Sequence, residues 1–287
     1  YIGEEYQMHA AYNNNFFKMN ENGGIIDDRY ITRPEEMEDV GGTQNIPTRL
    51  EGTGTRNHNF YLYLTHRYRL GFYREVTKLE DTQDPAAQRR MQQDSTALPK
   101  DTIVEEEFVP VTSFIHTFKV ERSRRTFRSS TEPTGEDGFY ENTYLQEGAS
   151  NDSTVALSVK NVFGISLLEG FHKYAKAGLT AYVSHNFNRY TLMNMDTSLP
   201  RPTPLEYTEH EFYVGGELSK RQGSLLHYNV TGEVGLAGKA AGQFKVNGDI
   251  DLNFRLGKDT VNFYARGHVS NRLPSFYMRH YHSNHFA

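Results

Sequence analysis

The sequence contains no cysteine and no tryptophan. Without cysteine there is no disulfide framework, no thiolate metal site and no cysteine nucleophile. Absent too is any run of about 18 apolar residues, the minimum for a membrane-spanning helix. Mean hydropathy is −0.70, and 37% of residues are hydrophobic. These values exclude a helical membrane protein. They do not exclude a membrane barrel, whose alternating strands and polar loops average to a hydrophilic score. Basic residues are outnumbered: 31 Lys and Arg against 36 Asp and Glu leave a formal charge of −5. That balance argues against general nucleic-acid binding, and the cluster Arg122, Arg124, Arg125 and Arg128 reads as a strand end or loop.

What the chain does have is alternation. From Phe244 to Leu256, Phe244, Val246, Ile250, Leu252, Phe254 and Leu256 take the even positions, while Lys245, Asn247, Asp249, Asp251, Asn253 and Arg255 take the odd ones. Successive strand side chains point to opposite faces, so one face is apolar and the other polar. At about 3.3 Å per residue the stretch spans roughly 43 Å, or about 30 Å when tilted by about 45°, which matches a bilayer. Ordinary soluble strands stop at about 5 to 6 residues. Tyr and Phe, 19 and 18 in number, suit interfacial girdles, although girdles without Trp are unusual.

A strand in lipid needs neighbours on both sides. The same pattern recurs in Asn59 to Phe72, Phe108 to Arg122, Thr154 to Leu168, Leu179 to Asn188, His210 to Leu218, Leu226 to Leu236 and Val261 to Val269, with a less regular strand in Tyr1 to Tyr12. Together they predict an all-β, transmembrane antiparallel β-barrel of nine strands occupying 1–287, with polar loops at about 15–55, 73–107, 125–153, 193–206 and 271–287. Pro110 is expected at a strand start, where its missing donor matters least. The 73–107 loop falls on the side expected to carry short turns, so it holds either a hidden pair of strands or an unusual excursion.

Chemistry is sparse. There is no Gly-x-Ser-x-Gly elbow, and no base stands beside a serine, so the chain is read as not an enzyme. His280, His282 and His285 alternate as zinc ligands could, but no helix signature fixes them and they read as loop residues. Asp27, Asp28 and Glu35 lack EF-hand spacing. No cofactor is expected. His66 and His116, on otherwise lipid-facing sides, are expected at a membrane interface where a polar edge reaches water.

Phe108-Val-Pro-Val-Thr-Ser-Phe-Ile-His-Thr-Phe118, Asn161-x-Phe163-Gly164 followed by Leu167-Leu168-Glu169-Gly170, Tyr213-Val-Gly-Gly216 and Leu273-Pro-Ser-Phe-Tyr-Met-Arg-His-Tyr-His-Ser-Asn-His-Phe286 resemble the putative porin family of Bacteroidota outer membranes. The resemblance implies a location in the cell outer membrane and brings no catalytic pattern. Members of that family are longer, with strands beyond the Asn-His-Phe landmark. The resemblance therefore implies an incomplete portion of a larger barrel, in keeping with an odd strand number where single-chain bacterial barrels are even.

Two functions fit the pattern. The first is a porin for passive diffusion of small hydrophilic solutes, its pore lined by Arg67, Arg69, Lys119, Glu121, Lys245, Asn247, Asp249, Asp251, Asn253 and Arg255. The alternative is a plugged structural or receptor barrel whose loops bind a lipoprotein partner or a ligand. Either requires the lipid bilayer as its surroundings.

Overall fold

A computed structural model arranges the chain as nine strands: β1 (Tyr6–Ile25), β2 (Thr48–Leu79), β3 (Thr102–Ser129), β4 (Ser150–Leu167), β5 (Gly178–Met193), β6 (Pro204–Lys220), β7 (Leu226–Gly238), β8 (Phe244–Leu256) and β9 (Asp259–Asn271). The structure describes residues 5–37, 45–79, 102–130, 140, 142–144, 149–169, 176–194 and 203–286. Strand order in the sheet is the order of the sequence, and every neighbouring pair is antiparallel. Such a meander needs only local connections. Among the described residues, β1 and β9 are each paired on one side only.

The first three strands reach well past their alternating parts. β1 continues to Ile25, pairing Asn20 with Gly54, and β2 and β3 stay paired out to Leu79 and Thr102. A ladder of backbone hydrogen bonds needs no hydrophobic period, and beyond the lipid both faces of a strand meet water. Alternation therefore stops before pairing does. No strand lies between β2 and β3 in the sheet, and residues 80–101, which join them, lie outside the described residues. Pro110 is not at a strand start, because β3 begins at Thr102. It sits instead opposite Gly71 where the register shifts between Leu70 and Gly71, a bulge that accommodates the missing donor.

The two faces are inverted relative to a soluble protein. Phe163 and Val183 are each 56% exposed and Ile165 is 50%, whereas buried side chains include Ser113, Ser184, Asn188 and Glu209. Buried hydrophobic residues among those described are Leu192, Ala240 and Phe276. Side chains crowd on the inside of a curved sheet and splay on its outside, so the polar face is the inner one. A wall with its apolar side outward is stable only against lipid. The fold is that of an all-β transmembrane antiparallel barrel, and no described helix is long and apolar enough to cross a membrane.

One end of the sheet carries the turns 221–225 and Gly257-Lys258, where Gly257 supplies a positive φ of 69°. The other end carries the connections 26–47, 130–149, 194–203 and 239–243, as well as the residues after β9. Among the described residues two short α-helices lie outside the strands, α1 (Arg29–Thr32) and α2 (Phe276–Arg279), with a 3-10 turn at Pro34–Glu36.

Candidate functional site: the polar inner face and the segment docked on it

Register decides which side chains share a face. One rung runs Arg67, Ile115, Gly164, Tyr182, Gly215, Glu233 and Lys245 from β2 to β8. The next runs Arg69, Ser113, Ser166, Thr180, Glu217, Thr231 and Asn247. Lys119 and Glu121 on β3, and Asp249, Asp251, Asn253 and Arg255 on β8, keep the parity of these rungs. All the residues expected to line a pore thus fall on the polar face. They stand on three strands, β2, β3 and β8, rather than gathered in one place, since neighbouring strands are about 4.8 Å apart.

Short polar pairs hold this face together. Lys119 Nζ lies 2.8 Å from Glu121 Oε1 and 5.5 Å above the Tyr61 ring. The Ser158 hydroxyl donates to Asn186 Oδ1 at 2.9 Å, and Asn186 Nδ2 donates to Glu211 at 3.0 Å. Asn247 Nδ2 donates to Thr231 at 3.1 Å, and Asn262 Nδ2 donates to Asp251 at 2.8 Å. Among the described residues Lys245, Asp249 and Arg255 make no close ion pair, although Lys245 stands opposite Glu233 and Asp249 opposite Arg266 in register.

An acidic column was not legible in the alternation of apolar residues alone. Glu209, Glu211, Glu217 and Glu233 project from β6 and β7 onto the inner face. For Glu209, Glu211 and Glu217 the signal lay in their shared odd positions on one strand.

The residues after β9 do not extend the sheet. They turn back across the polar face at the end that carries the connections 26–47 and 130–149. Arg272 Nη2 meets Glu233 at 2.6 Å. Phe276, 3% exposed, stacks on Tyr190 at 4.2 Å between ring centroids. Tyr277 donates its hydroxyl to Val155 O at 2.8 Å, and burial pushes that phenol up to about 12 against the opposing effect of its hydrogen bonds. Arg279 Nη2 reaches both carboxylate oxygens of the buried Glu209, at 2.9 and 3.1 Å. Asn284 donates its backbone N–H to Asp152 at 3.0 Å and its amide to Ser150 Oγ at 2.7 Å. The strand side chains that anchor it, Glu233, Tyr190, Glu209, Asp152 and Ser150, are all on the polar face, so the segment lies inside the wall. Beneath it is a small cavity of about 200 Å³ bordered by Glu21, Arg125, Asp152 and Tyr281.

The histidine trio belongs to this segment; His285 and His280 make docking contacts, while His282 borders the cavity with its Nδ1 unpartnered. His285 lies 2.8 Å from Asn142 O through Nδ1 and 3.0 Å from Ser150 Oγ through Nε2, and it stacks on Tyr140 at 3.7 Å. His280 packs on Phe276 at 4.8 Å. Asp27, one of the acidic residues weighed for calcium, is engaged by Arg29 at 2.6 Å, and that guanidinium's hydrogen bonds lower its carboxyl to about 2. Among the described residues no group of three or more His, Asp or Glu is placed to hold a metal ion.

His66 and His116 are not at an interface. They pair across β2 and β3 in the middle of the apolar stretch Phe60 to Phe72, with ring centroids 5.9 Å apart. His66 accepts from or donates to the Tyr6 hydroxyl at 2.5 Å, and His116 stacks on Phe163 at 4.4 Å. A hydrogen bond serves His66 and ring stacking packs His116, whose Nε2 is buried without a hydrogen-bond partner.

A family model described as "Putative porin" matches residues 1–287, the whole chain. No curated protein and no solved structure matches it. The match, the nine-stranded antiparallel wall and the outward apolar face agree with one another, and the chain belongs to the putative porin family.

Proposed function

We propose that the polar face lines a water-filled path through the outer membrane, along which small hydrophilic solutes diffuse passively. The reading is supported by the register, in which Arg67, Arg69, Lys119, Lys245, Asp249, Asp251 and Arg255 share the polar face, opposite the exposed apolar one. Mixed charge on a pore wall sets a transverse field, which selects by charge and size without a dedicated binding site. In this reading the open edges of β1 and β9 are paired in the closed barrel, because lipid cannot solvate them. The segment 272–286 narrows the path at one mouth.

The test is a planar-bilayer recording of the full-length protein. Stepwise conductance is expected, and replacing Lys245, Asp249, Asp251 and Arg255 by neutral residues shifts ion selectivity while heat-modifiable gel mobility is retained. A folded barrel that stays silent at all voltages would overturn this reading. The firm anchoring of 272–286 would then support a plugged barrel that binds a lipoprotein or ligand through its loops.

A further inference from the structure

The run Arg122 to Arg128 is divided by the strand. Arg125 points to the inner face, while Arg122, Arg124 and Arg128 point outward with the apolar side chains. Register adds Lys18 and Arg56 on β1 and β2, and Arg189 on β5, to the same outward face at the same end. All are exposed. Glu206 is the acidic residue the strands contribute to that face there. The inner face mixes both signs; this belt is basic.

The belt begins where the apolar band stops. Below it lie Leu62, Val120, Val159 and Phe187; on the next rung Arg122 and Arg189 flank Leu157. Two strand spacings separate these arginines, about 10 Å, and Arg124 stands about 7 Å further along β3. Long guanidinium side chains from three such positions converge readily on one phosphate. Arg122 and Arg189 have no ion-pair or hydrogen-bond partner among the described residues, while Arg124 contacts only Ser153 Oγ at 3.4 Å.

A second feature lies beneath the belt on the same face. A groove of about 620 Å³ runs between His116, Phe163 and Ile165 on one side and Ala181, Val183 and Val214 on the other. From Arg122 down to His116 the strand covers about 20 Å, roughly 14 Å of depth when tilted, which is one leaflet of hydrocarbon. A headgroup on the arginines would place its acyl chains at the groove.

We propose that this face binds a membrane lipid carrying an anionic phosphate, with Arg122, Arg124 and Arg189 on the headgroup and the groove taking acyl chain. The inference rests on embedding in a membrane and not on the solute path. Its test is independent of conductance. Full-length protein is reconstituted in nanodiscs of equal phosphatidylglycerol and phosphatidylcholine, released, and the co-purifying lipid is measured by native mass spectrometry. Phosphatidylglycerol is expected to be enriched about fivefold or more, and the enrichment to fall as salt rises from low to high. R122Q/R189Q removes the enrichment, V183W lowers the total lipid retained, and K119Q on the inner face changes neither. Equal retention of the two lipids by the wild-type protein would overturn the proposal. So would enrichment that persists in R122Q/R189Q, or a face occupied by a second copy, seen as lipid-free dimer. The salt series on the wild-type protein decides the matter even if a variant does not fold.

Discussion

Ile250 and Asn253 sit on opposite faces of β8, and a charge should be felt very differently at the two. Ile250, 43% exposed, points out with Val246 and Phe254. Placing arginine there puts a cation against lipid and should cost about 2–4 kcal/mol near the midplane. Asn253→Arg places the same charge among Asp251 and Asn262 and should change stability by less than about 1 kcal/mol. Refolding titrations into vesicles compare the two, and equal costs would contradict the facing. Tyr277 provides a second residue-scale expectation. Its folded pKa, about 12, stands above the ordinary value of 10.0, so its contribution to docking is complete below pH 10 and is lost as pH rises through 12. Protease sensitivity of the 272–286 segment should rise over that window. In Tyr277→Phe the part of the rise due to this phenol should vanish.

At the scale of elements, the inward segment depends on a charge that has been taken out of water. Arg279→Ala strands the buried carboxylate of Glu209, whereas Arg279→Ala with Glu209→Gln removes both charges. The single variant should free the segment and raise unit conductance. The double variant should release it too, but with a smaller loss of folding stability, measurable as the denaturant midpoint. Gly238 offers a backbone test. Its φ is +70° and an added Cβ would lie 1.8 Å from His210 O, so Gly238→Ala should cost more than about 1 kcal/mol and disturb the β6–β7 pairing. Strands β4 to β9 were legible in the sequence because apolar residues recur at period two throughout the lipid band. The outer parts of β1 to β3 were not, since both faces there meet water and nothing forces a period. The docked segment was equally hidden: Tyr277 bonds to Val155 and Asn284 to Ser150, contacts between residues more than a hundred positions apart, and neither carries a local pattern. His66 was visible as a break in the apolar face. Its pairing with His116 needed the register of β2 and β3.

For the whole molecule, the inverted faces join fold to function. Apolar side chains outward make the wall compatible with lipid, and the same alternation necessarily turns the charged residues to the other side. These 287 residues hold no cysteine, so an introduced thiol is the sole one among them and makes this directly measurable. Single cysteines at successive positions from Lys245 to Asn253 in the full-length protein, reconstituted in vesicles, would be exposed to a membrane-impermeant, water-soluble maleimide. Labelling is expected at 245, 247, 249, 251 and 253 and protection at 246, 250 and 252. Labelling of both sets alike, or of the even positions alone, would contradict a lipid-facing apolar side and a water-lined polar one.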